Sequence, residues 1–318
     1  MEKANIYTNS HFPCKAPIKL SIVTPIYKND PSPLLAKISD EINNSNFDKN
    51  IELICVDDGS KSPELIKKIK SHLDNISIAA KLVAFVENQG RSAARNALIE
   101  NSSGEFLLFL DSDMLPDCPN FIAKWLDFID NSAPTIAYGG FSTSQIEDNK
   151  ELALAKELAG HTDCLSAMER NERGPLAVAT SNLLVRRDIV QEVPFDCGFK
   201  GWGWEDVDWA LRAHQAKFAI VHFENSATHL GLDIPEVLLD KLAQAGPNFR
   251  HIAMRHPQML KLQSTKAARL IAKLPFLVSF APALKYLILE TNLPIKIKAN
   301  LTRLWRATHA AKSILQKN

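Results

Sequence analysis

Residues 105–113 read EFLLFLDSD. Five consecutive apolar residues, Phe106 to Leu110, run straight into two carboxylates one residue apart, Asp111 and Asp113. An unbroken apolar run of this length fits a strand buried on both faces, as in a parallel sheet. Upstream lie three more runs of the same kind: KLVAFVE at 81–87, ELICVDD at 52–58 and LSIVTPIY at 20–27. Helical spacing fills the gaps between them, at 34–43, 63–73 and 91–100, with Pro63 in a first turn and Ser102-Ser103-Gly104 ending the last helix. The βαβαβαβ alternation predicts an α/β fold, a mainly parallel sheet flanked by helices. Crossovers of this type are right-handed, and ligands bind at the carboxyl ends of such strands.

Three polar segments occupy those ends: Thr24-Pro25, Asp57-Asp58-Gly59-Ser60 and Asp111-Ser112-Asp113. The topology predicts that they converge on one sheet edge. Asp111 and Asp113 supply hard oxygen ligands for a divalent cation bridging the phosphates of a nucleotide. An ordinary surface loop would carry the same residues. Asp57 and Asp58 offer a carboxylate for a base N–H, or a plain turn. Residues 88–96, NQGRSAARN, open a helix whose N-terminus suits a phosphate, with Gly90 allowing close backbone approach and Arg91 and Arg95 on one face.

The second half alternates less regularly. A strand is expected at 176–186, a helix at 205–216, a strand at 218–223, and helices from about 233 to the end. In GWGWEDVDW, residues 201–209, three of the five tryptophans fall together. Glu205 and Asp206 open the helix there, where carboxylates complement the macrodipole. Tryptophan faces beside acids also suit a sugar, and an adjacent carboxylate can act as general base on a hydroxyl. His229 follows the 218–223 strand and becomes a credible metal ligand only together with the Asp111/Asp113 pair.

Charged residues make up 23% of the 318, and hydrophobic ones 46%, which predicts a packed core. The five cysteines form no C-x-x-C pair, so neither zinc nor thiol redox chemistry is indicated. No apolar run of the kind a secretory leader needs occurs in residues 1–15, and a cytoplasmic protein is expected. The net charge of +1 conceals a polarity: residues 250–318 hold 13 Lys and Arg and one acid, Glu290, against 24 bases and 35 acids before them. Such a tail suits an anionic partner. The apolar stretch 273–290 is interrupted by Pro275, Pro282 and Lys285 and is too short to span a bilayer. An interfacial helix, peripheral on the cytoplasmic face of an anionic membrane, is expected. Nucleic acid is not, because few aromatics are interleaved with the bases.

Taken in order, SIVTPIY, ICVDDGS, ENQGRSAARNAL, FLLFLDSDM, TSNLLVRR, GWGWEDVDWALR and THLG resemble the inverting glycosyltransferases of family 2, with the Rossmann-like GT-A fold. GWGWED is also similar to the acceptor motif of galactosyl- and N-acetylgalactosaminyl-transferases, including chondroitin-polymerase-like enzymes. The resemblance implies an N-terminal extension over 1–17, a GT-A catalytic domain over 18–232 and a helical, basic C-terminal region over 233–318. It implies that Thr24 and Pro25 line the nucleotide pocket and that Asp57 or Asp58 bonds the uracil. Arg95, Asp111 and Ser112 would contact the nucleotide-sugar. Asp113, Asp111 and His229 would hold Mn²⁺ or Mg²⁺, Asp206 would be the catalytic base, and Glu205 would contact a sugar hydroxyl. Trp202 and Trp204 would bind the acceptor, although the related galactosyltransferases carry glycine where Trp204 stands. The implied activity is hexosyl transfer from a UDP-sugar, galactose or N-acetylgalactosamine foremost, to a glycan or lipid-linked hydroxyl in bacterial surface polysaccharide synthesis. Two other readings remain. A sugar nucleotidyltransferase would need a glycine-rich, lysine-bearing loop after the first strand, which TPIYKNDPSP is not. An inactive sugar-binding module would not need the acids at 111, 113 and 206.

Overall fold

The structure, a computed structural model, describes residues 4–14, 16–45 and 50–316. Its first half runs β1 Ala4–Thr8, β2 Leu20–Ile26, α1 Ser32–Asn44, β3 Ile51–Asp57, α2 Pro63–Asn75, β4 Ala79–Phe85, α3 Arg91–Asn101 and β5 Phe106–Leu110. Then come β6 Met114–Pro116, α4 Phe121–Ser132, β7 Ile136–Tyr138, β8 Phe141–Ser142, α5 Ala153–Thr162, α6 Ala167–Arg173, β9 Asn182–Arg186 and α7 Arg187–Glu192. Last are α8 Glu205–Gln215, β10 Ile220–His222, β11 Ala227–His229, α9 Pro235–Arg255, α10 Lys266–Lys273, α11 Ala281–Leu289 and α12 Ile295–Leu315.

The chain divides into two compact units. The first comprises Met1–Ile146, Asp163–Cys197 and Trp209–Gly231. Its eight-stranded sheet has the order β1-β4-β3-β2-β5-β9-β7-β10. β4, β3, β2 and β5 are parallel, as are β7 and β10, whereas β1 and β9 run antiparallel to their neighbours. The sheet is therefore mixed, with the expected parallel block at its centre. One core gathers alternate residues of β2, β3 and β5, such as Leu20, Ile22, Leu53 and Leu108, with α1, α2 and α4. Val23, Ile54, Leu107 and Phe109 point the other way, onto α3, α7 and Trp209. Ahead of residue 18, β1 joins this sheet by pairing with β4 in register Ala4 to Phe85.

A second sheet of three short strands, β6-β11-β8, lies in the same unit. It pairs His229 with Met114 and so ties the segment after β5 to the segment after β10.

The second unit gathers Glu147–Thr162, Gly198–Asp208 and Leu232–Asn318. It is helical, as the spacing beyond 233 predicts. Leu154, Leu239, Leu284, Ile288 and Trp305 form its core, and the Trp305 indole donates to the Leu239 carbonyl at 2.9 Å.

Candidate functional site

Parallel pairing of β2 with β3 and with β5 sets three strand ends side by side in the first unit. Each carries its predicted polar residues. The Thr24 side chain is buried and its hydroxyl meets no partner, and Pro25 follows it on β2. At the end of β3, Gly59 closes a tight turn at φ +72, where a Cβ would stand 2.5 Å from the Glu87 carbonyl carbon. The two adjacent aspartates part company there. Asp58 is fully engaged: Oδ1 accepts the Gln89 N–H at 2.7 Å, and Oδ2 accepts the Gly90 N–H at 3.0 Å and the Asn88 amide at 2.8 Å. Burial pushes its carboxyl above the usual range, and those backbone bonds only partly offset it. Asp57 uses one oxygen to accept the Ser60 N–H at 3.1 Å, and its other oxygen is buried without a partner.

The amides of Gln89 and Gly90, which lead into α3, donate to Asp58. Arg95, expected to contact the nucleotide-sugar, is 1% exposed. Its guanidinium lies 3.3 Å from Asp111 Oδ1 and 5.8 Å from the Phe195 ring centroid. The Ser92 hydroxyl in the same helix is buried with no partner, and so is that of Ser181, whose carbonyl accepts the Asp111 N–H. Buried polar atoms are nearly always satisfied in folded proteins. Thr24 Oγ1, Asp57 Oδ1, Ser92 Oγ and Ser181 Oγ are such atoms without a protein partner, and each could meet a polar ligand atom.

Beyond β5, Ser112 is buried. Asp113 Oδ2 sits 3.2 Å from His229 Nε2, and the Asn29 amide donates to it at 3.5 Å. Burial pushes the Asp113 carboxyl up, but the hydrogen bond and charge of His229, aided by Arg91, outweigh it and hold the group below the usual carboxylate range. Gly231 leaves room for this carboxylate, since a Cβ there would stand 2.3 Å from Oδ2. Asp111 is turned to Arg95 instead. Among the described residues no group of three or more His, Cys, Asp or Glu could hold a metal by itself. The pair Asp113 and His229 does fit a cation that fills its remaining positions with phosphate oxygens and water, as magnesium commonly does.

The 198–208 loop belongs to the second unit. Asn248 of α9 clamps it, accepting the Lys200 N–H and donating to the Lys200 and Trp202 carbonyls. Trp202 packs against the helical core. The backbone of Trp204 has φ +77, a left-handed conformation that glycine adopts freely and a bulky residue does not. Protein contacts hold the indole in place. Phe249 lies at 5.2 Å and the Arg306 guanidinium at 4.8 Å over the ring. Trp209 is a core residue, its indole donating to the Val193 carbonyl. Glu205 is buried and Asp206 half-buried in the first turn of α8. Asp208, one turn on, is fully buried against Arg255 at 3.0 Å and His256 at 3.0 Å. Sequence reasoning missed Asp208, Arg255, His256, Asn29, Ser92 and Ser181, and no local pattern marks any of them.

The sequence matches the profile of Glycosyl transferase family 2 over residues 21–193. Glycosyltransferase AglE of Haloferax volcanii is 30% identical over 209 residues, which cover 63% of this chain and 63% of that protein. The match thus spans less than two thirds of that relative. Poly(ribitol-phosphate) beta-glucosyltransferase of Bacillus spizizenii is 30% identical over 125 residues, 38% of this chain and 19% of that one. Among solved structures, the mannosyltransferase PcManGT of Pyrobaculum calidifontis, in complex with GDP-Man and Mn²⁺, superposes with a TM-score of 0.58 at 14% identity. That superposition covers 94% of this chain and 88% of the other. S. aureus TarS 1-349, in complex with UDP-GlcNAc, does so with a TM-score of 0.55 at 16% identity, covering 93% and 90%. The fold is that of the GT-A glycosyltransferases.

Proposed function

We propose that this chain, which belongs to glycosyl transferase family 2, moves a hexose from a UDP-sugar to a hydroxyl of a glycan or lipid-linked acceptor. The observation that carries the donor half is the set of unpartnered buried polar atoms at the carboxyl ends of β2, β3 and β5. Relatives named for glycosyl transfer, one of them onto poly(ribitol-phosphate), support the acceptor half and a place in surface polysaccharide synthesis. Galactose and N-acetylgalactosamine are the sugars we put first, on the spacing of Trp202 and Glu205 alone.

In this reading Asp57 accepts the uracil N–H, Thr24 and Pro25 line the pocket, and Arg95, Asp111 and Ser112 face the nucleotide-sugar. Asp113 and His229 would hold the divalent cation, Mn²⁺ or Mg²⁺. Such a cation would neutralise charge on the departing diphosphate. Asp206 takes the proton of the acceptor hydroxyl as its oxygen bonds to the anomeric carbon. The bond to the diphosphate breaks, the sugar inverts, and no covalent enzyme intermediate forms. Glu205 and Trp202 hold the acceptor. Trp204 acts on it indirectly, by fixing the loop through Phe249 and Arg306.

The test is nucleoside diphosphate release from UDP-galactose, UDP-N-acetylgalactosamine, UDP-glucose, UDP-N-acetylglucosamine and GDP-mannose, with Mn²⁺ and oligosaccharide or lipid-linked acceptors. One UDP-sugar should turn over, stop on EDTA addition and resume on excess Mn²⁺. Turnover that ignores EDTA removes the metal assignment. Turnover of GDP-mannose alone removes the uridine assignment, and no turnover at all favours a binding module.

The division of labour between the two aspartates has its own test. Losing one hydrogen bond to a charged group costs about 1.5–3 kcal/mol, so Asp57→Ala should weaken UDP binding roughly 10- to 100-fold, with a smaller loss of melting temperature than Asp58→Ala because it frees only the Ser60 amide. Asp58→Ala removes three hydrogen bonds to the 88–90 turn at once and should instead lower the melting temperature. Titration calorimetry and thermal melts of both variants decide it, and the opposite pattern would assign the base contact to Asp58.

A further inference from the structure

We propose that the bent helical segment from Gln263 to Leu289 is a docking face for an anionic lipid bilayer. Among the described residues no single helix is long and apolar enough to cross a membrane, but the two arms Gln263–Lys273 and Pro275–Leu289 pass that test together, bent by 105°. The second arm is apolar on both sides. One side buries Leu284 and Ile288 in the helical core. On the other, Phe280, Ala283 and Leu287 recur at intervals of three and four along α11, so they share a stripe; Phe276 lies in the 3-10 turn before it, and all four are exposed. Tyr286 adjoins them. Phe276 is 62% exposed and Phe280 56%. A helix apolar all round is ordinarily covered all round. Here the outer stripe has no cover from the described residues.

Charge identifies what covers it. The first arm exposes Leu270, at 57%, and beside the bend Leu274. Among these apolar groups stand Lys266, Arg269 and Lys273, all exposed. The 69 residues from Arg250 to the end contain a single acid, Glu290. Exposed aromatic and aliphatic tips interleaved with cations are what an amphipathic element in a headgroup region presents, with lysine stems lying along the apolar layer. A purely apolar partner protein would leave three cations without counter-charge. An anionic bilayer supplies both phases, acyl chain for the stripe and phosphate for the bases.

The proposal is independent of the transfer reading, because vesicle binding requires neither donor nor acceptor. Full-length protein is sedimented with vesicles of phosphatidylcholine containing phosphatidylglycerol, and with phosphatidylcholine alone. The expected result is partition onto the anionic vesicles, weakened by high salt, and weak partition onto the neutral ones. Phe276→Ser with Phe280→Ser should lower the partition about tenfold or more, since each aromatic removed takes away a large buried apolar area. These side chains are exposed, so circular dichroism of the variant should match wild type. Wild-type hydrogen exchange gives a second readout: backbone amides of 263–289 should gain protection with vesicles. Protein that stays in the supernatant with anionic vesicles overturns the proposal. So does vesicle binding that survives the double substitution without protection of 263–289. A lipid-free dimer in sedimentation velocity, abolished by the same substitutions and unresponsive to vesicles, would give the face to a second copy instead and equally overturn it.

Discussion

Asp206→Asn is expected to lower turnover by about 10²- to 10⁴-fold while leaving the melting temperature and the KM for the donor near wild type. The size follows from the role. A positioned general base contributes that much to a proton transfer, and asparagine keeps the shape of the side chain but cannot take the proton. Stability should hold because Asp206 stands half-buried in the first turn of α8. There a carboxylate adds only a few tenths of a kcal/mol to about 1 kcal/mol through the helix dipole. Glu205 is the natural control. It occupies the same turn and is buried, so Glu205→Gln, if it only holds a sugar hydroxyl, should raise the acceptor KM more than it lowers kcat. Initial rates against both substrates separate the two. Turnover of Asp206→Asn within about threefold of wild type, a loss far below what a general base contributes, would mean that the proton goes to another group.

The strand ends proposed as the donor site were legible because β2, β3 and β5 are buried on both faces and so read as unbroken apolar runs. β1 was not. Its sequence ANIYT is short, half-exposed and at the sheet edge, so burial leaves no pattern on it. The same holds for β6, β8 and β11, strands of two or three residues whose pairing nevertheless sets His229 beside Asp113. The resemblance nominated that contact, and periodicity alone had no means to. Choosing between Asp57 and Asp58 required knowing where the 88–90 amides point, which is a tertiary fact. Spacing puts Arg91 and Arg95 on one face of α3, but that Asp111 and Phe195 hold a buried Arg95 guanidinium depends on tertiary contacts. The second unit is assembled from three separate stretches. Only the last of them, from 232 onward, reads as a distinct helical region along the chain, and the GWGWED loop gives no sign in its own composition that Asn248 and Arg306 hold it.

Asp208→Ala is expected to destabilise the protein by about 3 kcal/mol, the lower end of the cost of breaking a buried ion pair, and to lower the melting temperature by roughly 6–12 °C. Asp208 is fully buried and accepts from the Arg255 guanidinium at 3.1 and 3.0 Å and from His256 Nε2 at 3.0 Å. Alanine leaves both donors facing a gap that water reaches poorly. The exposure of Arg255 keeps the cost at the low end: its side chain is 36% exposed and can turn to solvent. The position also matters for activity, because this cluster fastens the first turn of α8, which carries Glu205 and Asp206, to the end of α9. Activity should therefore fall in Asp208→Ala, in proportion to a loosened turn, through KM for the acceptor as well as kcat. Asp208→Asn retains an acceptor for both donors and should recover most of the activity and part of the stability. Rescue by asparagine at 208 but not at 206 is the signature of a positioning carboxylate next to a proton-accepting one. Equal loss in the two asparagine variants, with melting temperatures unchanged, would place Asp208 in the chemistry and remove it from the framework.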